Sequence, residues 1–134
     1  MRVRPDGPAA ERSGSAAPDP SQPDNPEDVK IIGLARAARA RTNATQGACV
    51  RDTDGRTYAA TSVSLPHLRL SAVAVAVAMA VSSGAHGLEA VALAAEAAPD
   101  DDDRAVAGDL PGTGVVIWWT NPSGVVQGQV SLDG

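Results

Sequence analysis

The chain has 134 residues, 43% of them apolar and 20% charged, with no Phe, one Tyr, two Trp and one Cys. That length permits one domain with a core of useful size, and a core without Phe must be built from Ala, Val, Leu and Ile on elements that approach closely. A net charge of −5 at pH 7 argues against a general nucleic-acid or anionic-membrane binder. A single cysteine excludes an internal disulfide and a Cys-rich zinc site, and suits a reducing cytoplasm.

No apolar stretch follows Met1-Arg2-Val3-Arg4, so no secretory signal is expected. Pro5 to Pro23 is rich in Pro, Ser, Asp and Ala with almost nothing large to bury, so residues 1–25 are expected to form a disordered tail and residues 26–134 a single folded domain. Asn25-Pro26-Glu27-Asp28 starts the first helix: Asn25 suits the cap, Pro26 the first helical position, and the two acids the positive end of the dipole. Ile31, Leu34, Ala35 and Ala38 then recur on one helical face. Arg36, Arg39 and Arg41 lie off that stripe and read as a solvated face rather than a phosphate-binding patch.

Gly47 to Arg51 and Arg56 to Ala60 flank Asp54-Gly55 and predict a β-hairpin, since Asp-Gly supplies the positive φ that tight turns need. Asp52-x-Asp54-Gly55 also echoes the opening of a calcium loop, but the closing Glu is missing. Ser71 to Val81 alternates Ala and Val like a strand, yet its length, Ala content and Ser83-Gly84 ending predict a buried helix, with Pro66 at the approach to it. Its apolar run, Ala72 to Val81, is too short to span a bilayer. Leu88 to Ala95 fits either a helix or a buried strand. The acids Asp100 to Asp103 suit a helix N-terminus. Val115 to Trp119 and Val125 to Leu132, joined by Asn121-Pro122-Ser123-Gly124, form a second hairpin.

This succession, with several local matches between Asp28 and Arg104, resembles the cytidine deaminase family of zinc hydrolases. Gln46-Gly47-Ala48-Cys49 stands where the family has Val-Gly-Ala-Ala, and Asp54-Gly55 with Tyr58 resembles its hairpin. Ser62-Val63-Ser64-Leu65 replaces Asn-Val-Glu-Asn, Ser71-Ala72-Val73-Ala74 replaces Cys-Ala-Glu-Arg, and Pro99 to Arg104 replaces Pro-Cys-x-x-Cys-Arg. The resemblance implies an α/β fold: a three-layer α/β/α mixed sheet of about five strands in one domain. It also implies where the chemistry would sit.

By this alignment the three metal ligands become Ser71, Asp100 and Asp103, the proton-shuttling Glu becomes Val73, and the ribose-holding Asn and Glu become Ser62 and Ser64. A neutral hydroxyl is a poor zinc donor, carboxylates prefer harder ions, and valine moves no proton. The expectation is therefore a pseudoenzyme: no metal, no cofactor, no catalytic or substrate-binding residues, and no enzymatic activity. Its role would be structural or regulatory, with self-association, an unidentified protein partner, no nucleic acid, no membrane, and a cytoplasmic location. Two alternatives are a divergent nucleoside deaminase with an oxygen-ligated metal at Asp100 and Asp103, and a sensor that binds a nucleoside or base. Elsewhere Cys49 reads as a buried structural thiol, His67 and His86 as surface residues without metal-pair spacing, and Ser82 and Ser83 lack a nucleophile elbow. Trp118 and Trp119 are adjacent on a strand and so face opposite sides, one for the core and one for packing or an interface.

Overall fold

A computed structural model describes residues 22–132; the tail expected at residues 1–25 lies, up to residue 21, outside the described residues. Helix α1 (Pro26–Thr42) is capped by Asn25, whose side chain accepts from the Glu27 amide at 2.8 Å, and closes on Asn43 in the left-handed region. Its buried face is Ile31, Ile32, Ala35 and Ala38, with Leu34 half-buried. Strands β1 (Gly47–Asp52) and β2 (Thr57–Thr61) form the expected hairpin, with Gly55 at φ 85° in the turn.

A second hairpin follows, β3 (Val63–Leu65) against β4 (Leu68–Leu70). Pro66 and His67 occupy its turn, so Pro66 does not approach a helix as the sequence suggested. Helix α2 (Ala72–Ser82) settles the alternating Ala/Val run: Ala72, Val73, Ala76, Val77 and Ala80 are buried at helical spacing. Strand β5 (Leu88–Ala94) resolves the other ambiguous run, buried on both faces except for Glu89. Helix α3 (Asp101–Gly108), then β6 (Val116–Thr120) and β7 (Val126–Ser131), complete the chain.

The main sheet has five strands in the order β2-β1-β5-β6-β7, antiparallel except for the β5–β6 pair, which α3 connects. Two cores follow from the alternation of side chains across it. Val50, Val91, Leu93 and Ile117 pack under α2 and α3, and Cys49, Ala92 and Trp118 pack under α1. The α/β/α architecture and the mixed five-stranded sheet expected from the sequence are those of the structure. Among the described residues no helix is long and apolar enough to cross a membrane.

The Phe-free core brings its layers together without bulk. A β-carbon on Gly47 would meet the Ala35 carbonyl oxygen and lie 2.8 Å from the Arg39 β-carbon, so α1 rests on bare β1 backbone. One buried charge is paired across these layers. Arg51, 6% exposed, reaches Asp28 at 2.9 Å and Glu89 at 2.8 Å, and the Trp118 indole donates to Asp28 at 3.2 Å. The Asp28 contact is coulombic, because its two closest atoms are buried without hydrogen-bond alignment.

At the base of the first hairpin, Asp52 accepts from the amides of Asp54 and Arg56 and from the Tyr58 hydroxyl. That is a turn clamp and not part of a calcium loop. Burial pushes the Asp52 carboxyl up, but these hydrogen bonds outweigh it and hold the group below the usual carboxylate range. A depressed folded-state pKa means the stabilisation is complete above the unfolded value of about 4 and is lost as pH falls through the folded one. Asp52→Asn is therefore expected to flatten the acid limb of a stability–pH curve below about pH 4 and to cost about 2 kcal/mol at neutral pH. Denaturant titrations from pH 2 to 7 check both, and an unchanged acid limb would contradict the assignment.

Candidate functional site

Three of the sequence-derived positions, Ser71, Asp100 and Asp103, meet where the N-termini of α2 and α3 face each other, at the end of the sheet marked by the start of β1. Ser71 is the N-cap of α2, its hydroxyl oxygen accepting from the Ala74 amide at 3.1 Å. Asp100 is the N-cap of α3 and forms a capping box with Asp103: Asp100 accepts from the Asp103 amide at 2.8 Å, and Asp103 faces the Asp100 amide at 3.5 Å. The Ser71 hydroxyl and the Asp103 carboxyl face each other where the two helices begin. Asp103 is 3% exposed. Burial pushes its carboxyl up, the Ser71 hydrogen bond pulls it down, and the charge of Asp100 pushes it up again, for a net rise.

Val73 is fully buried in the core under α2. Ser62, between β2 and β3, is held by the Thr45 hydroxyl at 3.1 Å and the Gln46 amide at 3.2 Å. Ser64 is exposed on the β3–β4 hairpin and does not join this group. The structure thus brings together Ser71, Asp100 and Asp103, places Ser62 nearby through Gln46, and leaves Ser64 apart.

Gln46 is the residue that sequence reasoning missed. Its side-chain oxygen accepts from the Ala72 amide at 3.1 Å, capping α2 from 26 positions away. It also lines a cavity of about 380 Å3 with Arg39, Thr45, Ala95, Glu96 and Ala97. Arg39 was grouped with two solvent-facing arginines, yet it is half-buried and its Nε is buried without a hydrogen-bond partner. No local pattern marks either residue, since both gain their roles from the packing of α1 and α2 on β1.

The zinc ion implied by the resemblance does not fit these residues. Ser71, Asp100 and Asp103 supply no thiolate and no imidazole, and each has an oxygen turned to a helix amide. Among the described residues no three His, Cys, Asp or Glu side chains are grouped to hold a metal. His67 and His86 are exposed in different loops. Cys49 is buried on β1, and burial pushes its thiol up to about 11. Because the thiolate is the reactive form, Cys49 is expected to resist a disulfide-exchange reagent at pH 8 until the protein is unfolded; rapid labelling of the folded protein would contradict this. Both tryptophans are used within the chain: Trp118 donates to Asp28, and Trp119 donates to the Ala95 carbonyl at 3.0 Å.

Residues 24–124 match the family described as "Cytidine deaminase-like". Among solved structures, the cytidine deaminase of Burkholderia pseudomallei superposes with a TM-score of 0.67 at 25% identity, over 77% of this chain and 91% of that one. The cytidine deaminase of Mycobacterium tuberculosis gives 0.61 at 23% identity over 77% and 88%. That of Mycobacterium leprae gives 0.60 at 20% over 77% and 91%. No sequence relative is found among curated proteins.

These neighbours are enzymes, and they overturn the expectation that the chain is not one: the fold is that of an enzyme family. That expectation rested on the replacement of the thiolate ligands and the glutamate by Ser71, Asp100, Asp103 and Val73. The fold instead sets a buried carboxyl with a raised pKa, Asp103, against the Ser71 hydroxyl at the helix junction.

Proposed function

The chain belongs to the cytidine deaminase-like family, and from that premise we propose that it binds a pyrimidine base, free or carried by a nucleoside, in the cavity beside Gln46. The observation that supports this reading is the cavity's place and size: about 380 Å3, with Gln46 shared between its wall and the N-terminus of α2. Ligand pockets of a few hundred cubic ångströms are typically apolar with a few placed polar groups. Here Ala95 and Ala97 give flat apolar wall, while Gln46, its side-chain oxygen held on the Ala72 amide, keeps an amide NH2 to donate to a pyrimidine carbonyl. The ring carries the recognition, because the Ser62 hydroxyl is already engaged and Ser64 faces solvent. Calorimetric titration with cytosine, uracil, cytidine and deoxycytidine tests the reading. Saturable binding that Ala97→Trp abolishes is expected, and a flat response to all four ligands rejects it.

A second reading is favoured by Asp103. In it water adds to the amine-bearing carbon of the bound ring and ammonia leaves, with the Asp103 carboxyl carrying the proton from water to the departing amine. Burial raises the Asp103 carboxyl above the usual carboxylate range, the direction that favours a group which must carry a proton. Steady ammonia release from cytidine that Asp103→Asn abolishes would support it; no release above the buffer rate would remove it.

Self-association belongs to the same proposal. It is supported by the exposed leucines of the β3–β4 hairpin, Leu65 and Leu68 at 54% and 47%, since exposed apolar groups in one region mark contact surfaces. Sedimentation velocity showing only monomer at micromolar concentration would contradict it. A cytoplasmic location is part of this reading, supported by the single unpaired cysteine.

A further inference from the structure

Arg39 stands in the last turn of α1 with its β-carbon and backbone nitrogen against Gly47, whose missing β-carbon leaves room for them. The position is therefore fixed by packing. Its Nε is buried and has no hydrogen-bond partner, and the residue lines the cavity. A buried guanidinium donor left unpaired is unfavourable, and the group best matched to a guanidinium fork is an oxyanion. Glu96 lines the same cavity but is exposed, and among the described residues no ion pair joins it to Arg39. The charge of Arg39 is thus available to a ligand. Gln46 connects this end of the cavity to the helix junction, and no free ribose-holding group lies between them, because Ser62 is engaged and Ser64 faces away.

We infer that the cavity takes a pyrimidine nucleoside monophosphate, with a phosphate oxygen on the Arg39 guanidinium and the base beside Gln46. The inference rests on the pyrimidine reading and adds to it that the anchor is the phosphate, not the sugar. Packing on Gly47 fixes the root of Arg39 before the ligand arrives, which removes part of the ordering entropy lost on binding. Glu96 acts against the phosphate and weakens it modestly, since its exposed carboxylate is screened by solvent.

Calorimetric titrations of the full chain with cytidine 5′-monophosphate, cytidine and inorganic phosphate test this. The monophosphate is expected to bind about tenfold or more tightly than cytidine, the difference expected of a charge-assisted contact. Arg39→Met keeps the aliphatic stem and should bring the two affinities together. Arg39→Lys should retain part of the difference, and Glu96→Gln should tighten the monophosphate alone. Equal binding of cytidine and its monophosphate by the unaltered protein would overturn the phosphate anchor while leaving the base reading intact. Binding of neither would overturn the base reading itself. Inorganic phosphate binding as tightly as the monophosphate would overturn the nucleotide assignment in favour of a bare anion site.

Discussion

Arg51→Ala is expected to lower the unfolding free energy by about 3–5 kcal/mol, the usual cost of removing one member of a buried ion pair. Arg51 is 6% exposed and faces two carboxylates, Asp28 on α1 and Glu89 on β5, so its loss leaves Asp28 nearly buried with only the Trp118 indole as a donor. Glu89 is far more exposed, with 44% of its side-chain surface accessible, so Glu89→Gln should cost well under about 1 kcal/mol. The double variant Arg51→Met with Asp28→Asn should recover much of the loss, because it removes both charges together. Guanidinium unfolding followed by far-ultraviolet circular dichroism reads all three. Similar losses for Arg51→Ala and Glu89→Gln would show that Asp28 is not the dominant partner. Against a typical total of about 5–15 kcal/mol, the expected loss is large enough to reduce soluble yield.

The second large effect is expected at Gly47. A valine there places its β-carbon against the Ala35 carbonyl oxygen and within 2.9 Å of the Arg39 backbone nitrogen. Those atoms belong to helix backbone and cannot rotate away. Overpacking usually costs about 1–3 kcal/mol, and Gly47→Val should lie at or above the upper end. Gly47→Ala should cost less but still lift the last turn of α1, which moves Arg39 and opens the cavity wall. Loss of stability with unchanged ligand affinity in Gly47→Ala would separate the packing role of this glycine from any role at the cavity. Glycines with open space around them, such as Gly33 on the outside of α1, should tolerate alanine.

Legibility in the sequence followed the range of the interaction. Local chemistry was readable: Asn25-Pro26 as a helix start, Asp54-Gly55 and Asn121 to Gly124 as turns, Asp100 as a helix cap. The order of such signals along the chain was enough to suggest the architecture. The β3–β4 hairpin was missed because Pro66 before an apolar run looks like the approach to a helix. Leu88 to Ala94 stayed ambiguous because a strand buried on both faces loses its alternation. Ser71, Asp100 and Asp103 lie together in the structure, but residue identities alone gave no hint that Ser71 and Asp100 would serve as the caps of two facing helices. Gln46 and Arg39 were invisible for the same reason: each acquires its role from an element distant in sequence.

The two indoles of β6 look in opposite directions, and this gives the molecule a pair of optical reporters with separate fields of view. Trp118 sits beside the carboxylate of Asp28, so its emission tracks the seating of α1. Trp119 is hydrogen-bonded to the carbonyl of Ala95, a residue of the cavity wall, so its emission tracks what enters there. With no other indole in the chain, replacing Trp118 by phenylalanine would leave a fluorophore dedicated to the cavity, and occupancy could be followed by light without attaching any dye.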